Sequence, residues 1–166
     1  TVLDAGCGGG RTIQKLSVMT SGHVSGVDYS DASVAAARRT NAEAIAAGRV
    51  DVQQAGVSHL PFADATFDLV TAVETHYYWP DLVEDLREIR RVLKPGGQLL
   101  IIAETYRREA VAAALVGPVM GLLGGSYLTA NQHRDALTAA GFGDVTVSEE
   151  TRKGWITVCG TRTSNA

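Results

Sequence analysis

Glycines and carboxylates near the start of the chain form the most distinctive chemical pattern in the sequence. The stretch VLDAGCGGGRT, residues 2–12, places Asp4 directly after a short apolar run. Four glycines follow within five positions: Gly6, Gly8, Gly9 and Gly10. Bare backbone lets a ligand lie against the main chain, and a neighbouring carboxylate favours a ligand with a cationic group. Farther along, Asp28 offers two oxygens that match the vicinal hydroxyls of a ribose.

The spacing of the glycines argues against a dinucleotide site. Such a site requires G-x-G-x-x-G, and counting from Gly6 places Arg11 where the third glycine belongs. A P-loop is also missing from the stretch, because no Gly-Lys-Ser/Thr follows the glycines. In addition, Asp4 would repel a pyrophosphate. An NAD-dependent oxidoreductase is therefore a weaker alternative for this pattern.

Apolar strands alternate with helical segments along the chain. We predict strands at 2–3, 23–27, 49–54, 67–73, 98–103, 144–148 and 155–160. We predict helices at 11–19, 31–47, 80–93 and 129–141, with Ser30 and Thr129 as N-caps and KPGG as the end of the third. Residues 106–128 fit one kinked helix or two short ones. This alternation predicts an α/β fold, a parallel sheet with helices on both faces.

The predicted sheet determines where a ligand would bind. Ligands of open parallel sheets lie beyond the carboxyl ends of the strands. In this chain that edge would collect residues 4–10, 28–30, 55–60, 74–78 and 104–106. The glycine stretch and Asp28 would therefore share one site with the residues that follow the third, fourth and fifth strands.

Composition excludes several classes of protein. Fifteen basic and 18 acidic residues give a net charge of −3 without a basic stripe, which argues against nucleic acid as a partner. The longest apolar stretch, 110–123, is too short to span a membrane and contains Gly117 and Pro118. No His, Asp or Glu cluster has the spacing of metal ligands. The two cysteines form no CxxC pair, which favours a reducing, cytoplasmic setting.

Five segments of the sequence resemble one known family. They are VLDAGCGGG, VDYS, LPFADATFDLV, LREIRRVLKPGGQLLI and ALTAAGFGDVTV, which run in order from residue 2 to about residue 147. In this order and at this spacing, they resemble the class I S-adenosylmethionine-dependent methyltransferases, in particular the small-molecule branch. The resemblance implies a Rossmann-like, doubly wound three-layer sandwich. Its seven-stranded, mostly parallel sheet would have the order 3-2-1-4-5-7-6 and an antiparallel last strand.

The resemblance also implies contacts to the methionine and ribose parts of the cofactor S-adenosyl-L-methionine. The backbone of Gly6 and Gly8 would lie against the methionine part, and Asp4 would orient its ammonium group. Asp28 would hold the ribose. Glu74, just after the fourth strand, would lie near the methionine amine.

Contacts to the adenine are implied for the loops after the second and third strands. Tyr29 would lie beside the ring, and the backbone of Val57 would contact its edge. Where many relatives carry an aspartate for the adenine amino group, the register places Gly56 in this chain. Ser58 could replace that contact, or the adenine could be held by backbone alone.

The stretch ETHYYWPD, residues 74–81, is the most distinctive outside these motifs. One interpretation is an aromatic lid that packs over the cofactor and excludes water. The other gives His76 or Tyr77 a catalytic contact with the substrate as a general base. His59 and His133 are predicted at the surface, and Trp155 in the core.

The expected function is methyl transfer to a small-molecule acceptor by in-line displacement, with S-adenosyl-L-homocysteine as the product. The alternative is a non-catalytic S-adenosylmethionine-binding module or partner subunit. We expect one domain over residues 1–166, as a monomer or homodimer. Because residues 2–3 look like the end of a buried strand and only Thr1 precedes them, we also expect an N-terminal lead-in to be missing from the sequence.

The substitution His76→Ala is expected to lower turnover and to leave cofactor affinity nearly unchanged. A base on the substrate side acts on the acceptor and not on cofactor binding. Steady-state rates and calorimetric titration with S-adenosylhomocysteine measure the two quantities separately. Unaltered turnover would remove His76 from the candidate catalytic residues.

Overall fold

The computed structural model describes residues 1–104, 128–150 and 154–164. In these residues the strands are β1 (Val2–Ala5), β2 (Val24–Asp28), β3 (Val50–Gln54), β4 (Phe67–Val73), β5 (Leu93–Ala103), β6 (Gly143–Glu150) and β7 (Trp155–Thr161). The α-helices are α1 (Arg11–Met19), α2 (Asp31–Thr40), α3 (Ala42–Ala46), α4 (Leu82–Val92) and α5 (Ala130–Ala139). A turn of 3-10 helix covers His76–Tyr78. The interpretation of residues 106–128 as helical falls, except for residue 128, outside the described residues.

The strands form one sheet in the order β3-β2-β1-β4-β5-β7-β6. The central strand β1 pairs in parallel with β2 and β4, and β3 and β5 extend the parallel part on either side. Strand β7 runs antiparallel to both of its neighbours, β5 and β6. This topology confirms the strand order and the reversed last strand that the family resemblance implied.

Helices cover both faces of the sheet, so the central strands β1 and β2 are buried along their whole length. Helices α1 and α2 pack on one face through Ile13, Val34 and Ala37, and α3 adds the partly buried Ala44 and Ile45. Helices α4 and α5 pack on the other face through Leu86, Ile89 and Leu137. The result is the predicted three-layer arrangement, with its functional edge at the carboxyl ends of the parallel strands.

The predicted helix at 31–47 is interrupted, and the reason lies in one buried amide. Helix α2 ends at Thr40, and α3 begins at Ala42. Between them, the side-chain nitrogen of Asn41 donates to Gly10 O at 3.0 Å and to Ala37 O at 2.9 Å. An asparagine that bonds to nearby carbonyls competes with the helical ladder, so the helix breaks at this residue.

The third predicted helix is shorter than expected at its start, and KPGG belongs to a strand. Helix α4 begins at Leu82, because Asp81 is its N-cap and accepts from Glu84 N at 3.2 Å. Pro80 therefore precedes the helix. The chain passes directly from Val92 into β5, which includes KPGG and shows a register shift against the start of β4. The predictions for α1 and β4 match the structure residue for residue.

The expectation that Trp155 lies in the core is wrong. It is the first residue of β7, and 42% of it is exposed. Along this strand Ile156 and Val158 face the core, so the alternation of β-structure turns Trp155 to the opposite face. Within the described residues, no helix is long and apolar enough to cross a membrane.

The substitution Gly10→Ala should destabilise the fold strongly. Gly10 has a φ of 80°, and a Cβ atom there would lie 2.8 Å from the backbone Cα of Ala37. The left-handed backbone and the steric clash together should cost about 2–4 kcal/mol. The matched control is Gly9→Ala, where a Cβ atom meets nothing within 4 Å. Its effect should stay within about 0.5 kcal/mol in denaturant unfolding. Equal effects of the two substitutions would contradict this account.

Candidate functional site

The glycine stretch forms the loop between β1 and α1, and hydrogen bonds attach this loop to the end of β2. The backbone N–H groups of Gly6 and Cys7 both donate to Val27 O, at 2.8 and 2.9 Å. Gly6 and Gly8 have φ values of 77° and 50°, which favour glycine. A Cβ atom at Gly8 would meet nothing within 4 Å, so its backbone faces open space. The loop thus presents a concave stretch of main chain to a ligand.

The carboxylate of Asp28 links this loop to the start of α2. Its Oδ2 accepts from Gly8 N and its Oδ1 accepts from Ser30 N, both at 2.9 Å. Each oxygen retains a further lone pair for a ligand hydroxyl. Ser30 also caps α2, as the sequence predicted, by accepting from Ser33 N.

A cavity of about 340 Å³ opens beside Asp28. Five residues that the sequence assigned to cofactor binding line it: Gly6, Asp28, Tyr29, Val57 and Ser58. The remaining wall includes Tyr78, Trp79 and Pro80, from the turn between β4 and α4. Tyr29 is 78% exposed, so its ring borders the opening of the cavity. The structure therefore brings five of the predicted cofactor-binding residues together at one cavity.

Asp4 lies beneath the loop, with 2% of its surface exposed. Thr71 Oγ1 donates to its Oδ1 at 2.7 Å. Burial raises the pKa of Asp4 from 3.8 to about 6; the hydrogen bond from Thr71 opposes this change, and the charge of Asp28 adds to it. Among the described residues, no lysine, arginine or histidine forms an ion pair with Asp4. A cationic group from a ligand would therefore stabilise the ionised carboxylate of Asp4.

Glu74 follows β4 in a left-handed conformation, with a φ of 57°. The backbone N–H of Glu104 donates to its Oε1, and the hydroxyl group of Tyr77 donates to its Oε2. Burial raises the pKa of Tyr77, and so do the hydrogen bond and the charge of Glu74. Strained backbone of this kind is concentrated at functional sites.

His76 does not lie at the surface of the site but faces another histidine. His76 Nε2 lies 2.8 Å from Nε2 of His133, on α5, and His133 Nδ1 lies 2.7 Å from Thr129 O. A carbonyl oxygen only accepts, so His133 carries its proton on Nδ1 and accepts from His76 through Nε2. Burial lowers the pKa of both, that of His76 to about 3, with a smaller contribution there from His133.

The surface position expected for His133 is wrong, since only 1% of it is exposed, whereas His59 is exposed as predicted. Helical periodicity could have shown this, because His133 stands four residues before the buried Leu137. Sequence reasoning also missed Thr75. A Cβ atom at Gly6 would lie 2.0 Å from Thr75 Oγ1, so this threonine packs directly on the glycine loop.

Comparison with known proteins agrees with the geometry. The family described as "Methyltransferase domain" matches residues 3–101. Methyltransferase GfsG of Streptomyces halstedii is 40% identical over 118 residues, 69% of this chain and 42% of that protein. The 27-O-demethylrifamycin SV methyltransferase of Amycolatopsis mediterranei is 34% identical over 100 residues, 60% of this chain and 37% of that protein. The chain thus spans about two fifths of the length of these curated relatives.

A solved structure shows the same fold. It is the geranyl diphosphate C-methyltransferase of Streptomyces coelicolor, in a complex that includes S-adenosyl-L-homocysteine. The TM-score is 0.83 at 17% identity, over 98% of this chain and 69% of that one. The sheet order and the cavity at its carboxyl edge define a Rossmann-like, nucleoside-binding class of domain. Within that class, the family match shows that the chain belongs to the class I S-adenosylmethionine-dependent methyltransferases.

The residues present fit the family's cofactor. The backbone of Gly8 faces space that a Cβ atom would enter without contact, and an amino-acid tail could lie there. Asp4 supplies a buried carboxylate for an ammonium group, and Asp28 borders the cavity where a ribose would lie. The described residues include no group of three or more His, Cys, Asp or Glu side chains that could hold a metal ion.

The substitution Asp4→Asn should stabilise the ligand-free protein and weaken its binding of S-adenosylhomocysteine. The native pKa of Asp4, about 6, exceeds the ordinary value of 3.8, so its ionisation lowers stability as the pH rises through 6. A difference of two units corresponds to at most about 3 kcal/mol, and we expect a gain of about 1–3 kcal/mol at pH 7.5. Asparagine keeps an oxygen for the hydroxyl group of Thr71.

The gain should disappear as the pH falls below 3.8, because Asp4 is then neutral in both states. Denaturant unfolding across this pH range measures the stability, and calorimetry measures the affinity. A variant less stable than the unaltered chain at pH 7.5 would contradict the assignment of Asp4 as a buried, unneutralised charge.

Proposed function

We propose that the chain binds S-adenosyl-L-methionine and transfers its methyl group to a hydroxyl oxygen of a small molecule. The observation that carries the proposal is the buried carboxylate of Asp4, which lies without a described cation beneath a glycine loop. A site for a neutral or anionic nucleotide would not place a charge there. The rifamycin-modifying relative supports the choice of an oxygen acceptor, since its name records an O-methyl transfer.

In this proposal the glycine loop and its neighbours bind and orient the cofactor. Asp28 accepts hydrogen bonds from the ribose hydroxyls, and Asp4 pairs with the ammonium group. Tyr29 and Val57 border the adenine, and Ser58 replaces the aspartate that many relatives carry. Glu74 lies at the same edge of the sheet, where the sequence assigned it to the methionine amine.

When bound, the cofactor supplies a methyl group on a positively charged sulfur, already activated for displacement. The chain's own contribution is alignment and exclusion of water. Trp79 and Tyr78 line the cavity and would separate the reacting groups from solvent. Holding acceptor and donor in line can supply several kcal/mol of the barrier.

We propose that the turn His76–Tyr78 contacts the methyl acceptor. Of the two catalytic candidates, His76 and Tyr77, it is Tyr77 whose side chain contacts a carboxylate. Its hydroxyl group donates a hydrogen bond to Glu74. The buried, uncharged His76 would support the turn through His133, and its Nδ1 has no hydrogen-bond partner among the described residues.

We also propose that the protein is cytoplasmic, since both of its cysteines are free thiols. We propose that it is a monomer or a homodimer.

Two measurements test the proposed function. Calorimetry should detect S-adenosylhomocysteine binding to the chain, and Asp28→Asn should weaken it by about tenfold or more, since one charged acceptor is lost. S-adenosylmethionine with a labelled methyl group should then transfer the label to members of a panel of phenols and alcohols. Failure to bind S-adenosylhomocysteine at millimolar concentration would overturn the proposal. Binding without transfer to any hydroxyl acceptor would favour a non-catalytic cofactor-binding module.

A further inference from the structure

The carboxylate of Glu74 is held in place more firmly than a surface glutamate would be. Its backbone N–H donates to Ile102 O at 2.9 Å, which ties the residue to β5 directly after β4 ends. A left-handed φ costs a non-glycine residue about 1–2 kcal/mol. The neighbouring strands therefore hold Glu74 in a conformation that it would not adopt in a free loop. That conformation directs the side chain along the ligand edge of the sheet.

Both oxygens of this carboxylate have hydrogen-bond donors. One oxygen accepts from the backbone N–H of Glu104, and the other accepts from the hydroxyl group of Tyr77. The backbone donor orients the group, so that one oxygen remains directed at the phenol. A carboxylate in contact with a phenol hydroxyl group can receive its proton.

Tyr77 is almost completely buried, with 5% of its surface exposed. Its ring packs edge to face against Tyr78, with centroids 4.9 Å apart, and it lies 5.0 Å from the ring of His76. A phenol oxygen that donates one hydrogen bond still has lone pairs to accept another. Tyr77 can therefore accept from an acceptor molecule while it donates to Glu74.

We propose that Tyr77 and Glu74 form a proton relay that removes the proton from a hydroxyl acceptor during methyl transfer. This inference rests on the proposed function and specifies its acceptor as an alcohol or phenol that is neutral before reaction. An amine acceptor that is already in its uncharged form would attack through a free lone pair, and would not need the relay. The inference also gives Glu74 a role distinct from the cofactor contact that the sequence suggested.

The step balances in atoms and charge. The acceptor oxygen forms a bond to the methyl carbon, and the sulfur–carbon bond breaks with its electron pair left on sulfur. The acceptor proton goes to the oxygen of Tyr77, and the proton of Tyr77 goes to Glu74. Glu74 is partly exposed, so it can return the proton to water after the product leaves. In this scheme Tyr77 is the catalytic residue and Glu74 acts through it.

The first test requires no acceptor. The charge of Glu74 opposes ionisation of Tyr77, so Glu74→Gln should move that ionisation to lower pH. Ultraviolet absorbance of tyrosinate measures it, and subtraction of the Tyr77→Phe signal isolates this residue among the five tyrosines. The matched control is Glu84→Gln, the same change at an exposed position on α4, and it should leave the ionisation of Tyr77 unaltered. An unchanged ionisation in Glu74→Gln would overturn the relay.

The second test compares two acceptors of different acidity, phenol and a nitrophenol that is ionised at the assay pH. With phenol, which ionises near pH 10 as tyrosine does, Tyr77→Phe and Glu74→Gln should each lower kcat by about 10²–10⁴-fold. With the nitrophenol, whose proton is already gone, both variants should approach the rate of the unaltered chain. A merely structural defect would lower both rates equally, and that result would overturn the relay.

S-adenosylhomocysteine affinity distinguishes failure of the relay from failure of the proposed function. Tyr77→Phe should bind this ligand as the unaltered chain does, and Glu84→Gln should retain full activity with phenol. If the unaltered chain binds S-adenosylhomocysteine and methylates phenol, but Glu74→Gln keeps its phenol activity, the relay is wrong and the proposed function stands. Absence of binding or transfer in the unaltered chain contradicts the proposed function itself.

Discussion

The carboxyl group of Asp4 is buried near the carboxyl end of β1, where burial opposes the negative charge that it would carry in water. Its one described hydrogen bond, from Thr71, only partly offsets that cost. Asp28, the second carboxylate, ends the neighbouring strand and orders the glycine loop through Gly8. The buried charge of Asp4 lowers the stability of the ligand-free protein, and a positively charged ligand group could pair with it. Under the proposed function, a ligand on the glycine loop would place its cationic group near this charge.

The turn after β4 contacts both the glycine loop and the cavity beside Asp28. Thr75 packs on Gly6 of the glycine loop. The residues on either side of it, Glu74 and Tyr77, form a hydrogen bond with each other. Tyr78 and Trp79 line the cavity beside Asp28. One short segment thus contacts the cofactor loop, the cavity wall and the proposed proton relay. The segment follows β4 directly and is attached to β5 through Glu74 and to α5 through His76. A displacement of this turn would therefore change all three contacts together.

The alternation of apolar strands and amphipathic helices was sufficient to predict the layers, and family motifs were sufficient to predict the strand order. Errors arose where a single side chain overrides a periodic pattern, as Asn41 does in breaking a helix. The burial of His133 and the exposure of Trp155 follow from helical and strand periodicity, because His133 stands one turn before Leu137 and Trp155 alternates with Ile156. The left-handed backbone of Glu74 has no signal in the sequence, because strain arises from the surrounding strands and not from the residue type.

The contact between His76 and His133 has a consequence for the order in which the site forms. The two residues are 57 positions apart, and the second lies on a helix near the end of the described chain. During synthesis the glycine loop and β4 emerge well before α5 does. The turn that carries Tyr77 can therefore gain its histidine partner only after α5 has been synthesised. Because Tyr78 and Trp79 of the same segment also line the cavity beside Asp28, that wall of the cavity would be completed at the same late stage.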